Sequence, residues 1–63
     1  MMEQNYEIEA TINGEVLVCR GSIETKNGVN QNAARIICNE FKKKNQGIEY
    51  IRFLLEGEMI YET

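Results

Sequence analysis

The stretch YEIEATINGEVLVCR, Tyr6–Arg20, decides the fold of this chain. Apolar and polar residues alternate up to Ile12, Asn13-Gly14 follows, and a second strand-like run begins at Glu15. Asn-Gly between alternating runs is the strongest short-range hairpin signal, because both residues of a type I′ turn need positive φ. Such a turn pairs Ile12 with Glu15, Ala10 with Leu17 and Ile8 with Cys19 on one face. Thr11 with Val16, Glu9 with Val18 and Glu7 with Arg20 share the other. The last is a cross-strand ion pair worth under about 1 kcal/mol when exposed.

The same pattern recurs around Glu56-Gly57, which predicts strands over 48–55 and 58–62. It pairs Leu54 with Met59, Phe53 with Ile60 and Arg52 with Tyr61. Ile51, Phe53, Leu55 and Ile60 then form one face, and Tyr50, Arg52, Leu54, Met59 and Tyr61 the other. A buried arginine without a partner is costly, so the second set is placed on the open side. Between the hairpins, Asn30 reads as an N-cap, with Val29 packing back as a hydrophobic staple. A helix over 31–45 follows, with Ala33, Ala34, Ile37, Cys38 and Phe41 as its buried stripe. Ile36 lies off the stripe. Lys42, Lys43 and Lys44 suit the negative end of the helix dipole, and Gly47 reads as the left-handed stop.

With the first two strands over 6–12 and 15–24, residues 1–63 make a single small α+β domain, a two-layer ββαββ unit. One helix covers one face of a four-stranded, mainly antiparallel sheet. Strand order 2-1-3-4 is favoured, since the third strand is more apolar than the Glu-flanked fourth. Order 2-1-4-3, with the first and fourth strands parallel at the centre, is the β-grasp-like alternative. That alternative resembles bacterial immunoglobulin-binding domains and minimal ubiquitin-like folds in its succession of elements alone. No motif of those families is present, and the chain ends Tyr61-Glu62-Thr63, not in a diglycine. The termini beyond Tyr6 and Tyr61 are expected to fray.

Composition narrows the chemistry. Ten acidic side chains stand against seven basic ones, for a net charge of −3. Aspartate, histidine, proline and tryptophan are missing. Without histidine the chain lacks the side chain that titrates near neutral pH and the commonest metal ligand. Gly-rich phosphate loops and metal-ligand spacings are absent too, so no catalysis, cofactor or metal is expected. No run approaches the ~20 apolar residues of a membrane span, and the polar Met1–Asn5 start lacks the features of a signal peptide. The expected address is cytoplasmic, in a bacterium or in the host cytoplasm if phage-encoded. Cys19 and Cys38 fit it as free thiols on faces expected to be buried.

Function then has to come from surfaces. A one-helix layer leaves the other sheet face open, carrying Val16, Val18, Arg20, Tyr50, Arg52, Leu54, Met59 and Tyr61. Tyr, Met and Arg are enriched at interfaces, and contiguous apolar patches mark interaction sites. The bland alternative is a solvated face on which Tyr61 stacks on Arg52. The expected role is a small non-enzymatic protein-interaction module, forming a homodimer or docking on a larger protein or nucleoprotein. Rich use of Ile, Asn, Lys, Glu and Tyr suits an AT-rich genome, and compact chains of this kind occur among phage and mobile-element inhibitors of bacterial defence. The runner-up is a nucleic-acid-binding regulator, using either Tyr50, Tyr61, Arg20 and Arg52 to stack bases or the basic helix. Residues 30–46 carry +3 and the remainder −6. An edge strand or the outer helix face could serve a partner in place of the sheet face, with Arg35, Ile36, Asn39, Lys42 and Lys43 as the possible helix-face contacts. Diffuse glutamates elsewhere weigh against phosphate binding.

Overall fold

The computed structural model describes residues 1–63. Its elements are β1 (Met2–Ile12), β2 (Glu15–Thr25), α1 (Gln31–Lys44), β3 (Ile48–Leu55) and β4 (Glu58–Glu62). The sheet has order β2-β1-β3-β4, and every neighbouring pair is antiparallel. It is an α+β fold with an open sheet. The β-grasp-like order is not adopted: β3 takes the central place beside β1, as its apolar character requires.

Both glycine turns are type I′ in their backbone. Asn13 and Gly14 have φ of 51° and 80°, and Glu56 and Gly57 of 50° and 81°. Asparagine tolerates the left-handed region; glutamate does so at a cost. Here the fold holds Glu56 in place through Asn5. The Glu56 backbone N–H donates to the Asn5 carbonyl, and the Asn5 N–H donates to Glu56 Oε1, both at 2.8 Å. The β3–β4 turn is thereby fastened to β1.

That contact belongs to a larger departure from expectation. β1 starts at Met2, not near Tyr6, and pairs continuously with β2 from Met2–Thr25 to Ile12–Glu15. The expected fraying of the N-terminal residues is therefore corrected. Gln4 supplies the reason, because its Oε1 accepts from the Val29 N–H at 3.0 Å and pins the chain just before the helix. The strand there binds the connection that it precedes by more than twenty residues.

The helix begins as expected. Asn30 is extended, and its Oδ1 accepts from Ala33 N–H at 2.8 Å. The helix ends at Lys44, where Asn45 donates to the Phe41 carbonyl from both its backbone N–H and its side chain. Gly47, with φ 89°, then turns the chain into β3. Asn45 thus closes the helix, and Gly47 redirects the backbone.

The core is small: Ile8, Ala10, Val29, Ala34, Cys38, Ile51 and Phe53. Tyr6 stacks on Phe53 with ring centroids 5.7 Å apart. Its phenol also lies over Gly21, where a Cβ would meet it at 2.7 Å, so a larger residue opposite Tyr6 would have to displace that ring. The helix packs over β3 and β4. It does not reach the outer strand, and Leu17 and Cys19 stay exposed. Cys19 was expected to be buried like Cys38. Its face was read correctly, but one helix, about 10 Å across with its side chains, is narrower than four strands spaced ~4.8 Å apart.

The second hairpin carries a further correction. Leu54 pairs with Met59 as expected, but a bulge shifts Phe53 onto Tyr61 and Arg52 onto Glu62. Ile60 and Tyr61 both pack against the core, so Tyr61 lies on the helix side of the sheet. The sequence hint was the unbroken apolar run Met59-Ile60-Tyr61, which a strict period of two cannot accommodate. A second irregularity, at Ile12 opposite Ile48, likewise brings Ile48 round to the core.

Candidate protein-binding face

On the uncovered side of the sheet the register lays side chains out in rows. Val16, Thr11 and Tyr50 form one row; Val18, Glu9, Arg52 and Glu62 a second; Arg20, Glu7, Leu54 and Met59 a third. Seven of the eight residues expected here are present: Val16, Val18, Arg20, Tyr50, Arg52, Leu54 and Met59. Tyr61 is not. The Tyr61–Arg52 stack expected from the unbulged register does not form, because the two side chains leave opposite faces.

Acidic partners from the neighbouring strands tie the polar residues down. Arg20 Nε donates to Glu7 Oε1 at 2.7 Å, and Arg52 Nε donates to Glu9 Oε1 at 2.7 Å. The Tyr50 hydroxyl donates to Glu62 Oε2 at 2.5 Å. These contacts leave marks on the protonation equilibria. Hydrogen bonding with Glu9 along the strand, reinforced by the hydrogen bond and charge of Arg20, holds the Glu7 carboxyl below its ordinary range. The hydrogen bond to Glu62 raises the Tyr50 phenol, since losing its proton would set two negative charges face to face. The Glu7 and Glu9 carboxylates, accepting from Arg20 and Arg52, raise both guanidiniums further, so both stay charged.

The face is consequently a fixed charge lattice with apolar margins. Val16 and Val18 at the β2 edge are 66% and 48% exposed, and Met59 on the opposite margin is 45% exposed. Leu54, between Glu7 and Met59, is half-buried. Sequence reading underrated Glu9 and Glu62, which orient the two residues at the middle of the face. Their signal was available in part: Glu9 alternates with Glu7 toward the same side as both arginines.

The helix residues lie apart from this face. Arg35 donates to Asn32 Oδ1 at 2.7 Å, Lys43 lies 3.4 Å from Glu40, and Ile36 is 49% exposed. Asn39 and Lys42 are half-buried on the same helix. Arg35 also lines an open groove between the helix start and β4, together with Asn32, Ile60 and Tyr61. Cys38 is enclosed in the core, where burial pushes its thiol up and away from the nucleophilic thiolate. Nowhere do three acidic or cysteine side chains converge as metal ligands would. No helix is long and apolar enough to cross a membrane. No family model, curated protein or solved structure matches the chain.

Proposed function

We propose that this chain is a small non-enzymatic protein-interaction module that docks its open sheet face on a larger protein or nucleoprotein. The observation that carries the reading is the uncovered layer itself, on which Val16, Val18 and Met59 project beside arginines held in place by Glu7 and Glu9. A surface whose charged side chains are already ordered loses little rotamer entropy on docking, and its apolar margins supply the area to be buried. The sharpest version makes the chain a phage or mobile-element inhibitor of a bacterial defence complex. That version draws on composition and on the acidic sheet, whose negative charge would steer it to a basic partner.

The nucleic-acid reading now rests on the helix alone. Tyr61 points away from the sheet face, and Arg20 and Arg52 are engaged with carboxylates, which weakens a base-stacking platform there. Arg35, Lys42 and Lys43 remain the residues for that alternative.

Affinity capture with the tagged chain, with and without nuclease, tests both. A stoichiometric protein partner that survives nuclease and is lost on Leu54→Glu supports docking through the sheet face. Loss of all partners on nuclease treatment, with sensitivity to Arg35→Glu, favours nucleic acid. A nuclease-resistant partner indifferent to Leu54→Glu and Val16→Glu overturns the sheet-face reading.

A further inference from the structure

The two edges of the sheet are built differently. β4 is short at five residues, bulged, and bounded by Glu58 and Glu62. Brevity, irregularity and charge are the devices by which proteins keep an edge strand from pairing with another chain. β2 is neither short nor bulged, and its charges at Glu15, Arg20 and Glu24 leave Val16–Cys19 without one. It runs for eleven residues and pairs with β1 without interruption. Val16, Leu17 and Val18 are all exposed along that stretch, and no helix shelters it.

The hairpin also fixes which backbone groups face outward. In a two-residue hairpin the closing pair, here Ile12 and Glu15, exchanges hydrogen bonds, and the pattern then alternates. Odd-numbered residues of β2 spend their N–H and C=O groups on β1. Val16, Val18, Arg20, Ser22 and Glu24 aim theirs off the sheet.

We infer that a second copy of this chain binds this edge, β2 against β2 and antiparallel, about a two-fold axis at Val18. The pattern is self-complementary about that point. Val18 meets the partner's Val18, Val16 meets the partner's Arg20, and Leu17 meets the partner's Cys19. Outward-facing residues meet outward-facing residues, so about six backbone hydrogen bonds form across the seam. Apolar side chains that stood in water become cross-strand neighbours on both faces. Arg20 stays neutralised by its own Glu7 at 2.7 Å, and its stem lies along the partner's Val16.

Other registers fit less well. An axis at Arg20 sets two guanidiniums directly opposite each other, which is unfavourable. An axis at Leu17 puts Glu15 against the partner's Cys19 and shortens the ladder. With the axis at Cys19, the two Arg20 side chains become diagonal neighbours and Leu17 faces the partner's Gly21, which offers no side chain. The seam at Val18 joins the two sheets edge to edge and leaves both open faces on the same side. It shares Val16, Val18 and Arg20 with the docking face but leaves Tyr50, Arg52, Leu54 and Met59 uncovered.

Sedimentation equilibrium of the full chain under reducing conditions, from low micromolar to millimolar, tests the inference. The mass is expected to rise with concentration from 7.3 kDa towards twice that value. Val18→Pro removes an N–H that points off the sheet, which an edge strand tolerates, so this variant should keep its circular dichroism and remain monomeric. Val18→Lys keeps the N–H but opposes two like charges, and should weaken association by at least about tenfold. Amides of Val16, Val18 and Arg20 should exchange more slowly as wild-type concentration rises, a readout that stands even if the proline variant fails to fold. A wild-type chain that stays monomeric at millimolar concentration overturns the inference. So does a dimer that resists Val18→Lys, or one that Leu54→Glu dissolves while Val18→Lys does not.

Discussion

At the scale of single residues, partners decide what each side chain contributes. Arg52 was legible as an outward residue because a buried unpaired guanidinium is so unfavourable, and it does lie on the open face with Glu9 beside it. Tyr61 was not legible, since its side depends on one extra residue in β4. Glu7 shows how a partner becomes measurable. Its carboxyl is held below the ordinary value of 4.5 by Glu9 and Arg20, so the ionised form favours the folded state. That contribution is present above the unfolded value and is lost as pH falls through the lowered folded one. Glu7→Gln should therefore be slightly less stable than wild type at pH 7, with the two converging at acid pH. Urea titrations across pH 2–7 check this, and a difference that persists below the folded-state pKa would contradict it.

At the scale of elements, local signals set the helix start and both turns. Contacts between elements set their ends. Asn30 was identifiable from its residue type and position, and Asn30→Ala should cost about 1 kcal/mol through loss of the cap to Ala33. Gln4 gave no such sign. Its partner, the Val29 N–H, lies twenty-five residues away, and this bond carries β1 beyond its expected start. Gln4→Ala should likewise cost about 1 kcal/mol and speed hydrogen exchange at Val29, while Gln4→Glu retains an acceptor. If Gln4→Ala leaves both stability and exchange unchanged, the first residues of β1 do not hold the connection.

At the scale of the whole molecule, seven buried residues support a sheet wider than its helix. So small a core leaves little reserve. Domains of this size hold only about 3–5 kcal/mol of stability, whereas Phe→Ala in a core costs roughly 3–5 kcal/mol. Phe53→Ala, which also removes the stack with Tyr6, is expected to unfold most of the chain at 25 °C. A cooperative thermal transition retained near the wild-type temperature would show that the core lies elsewhere. The sequence by itself determined the two turns, the alternation that sorts strand residues onto faces, and the helix with its cap, because these follow from φ preferences and from periodicities of two and 3.6 residues. Only the tertiary structure decided how much of the helix-side face is covered. The helix settles over β3 and β4, the β4 bulge turns Tyr61 inward, and β2 is left with Leu17 and Cys19 in water. Periodicity assigns a side chain to a side of the sheet, but burial depends on how far the opposite layer extends.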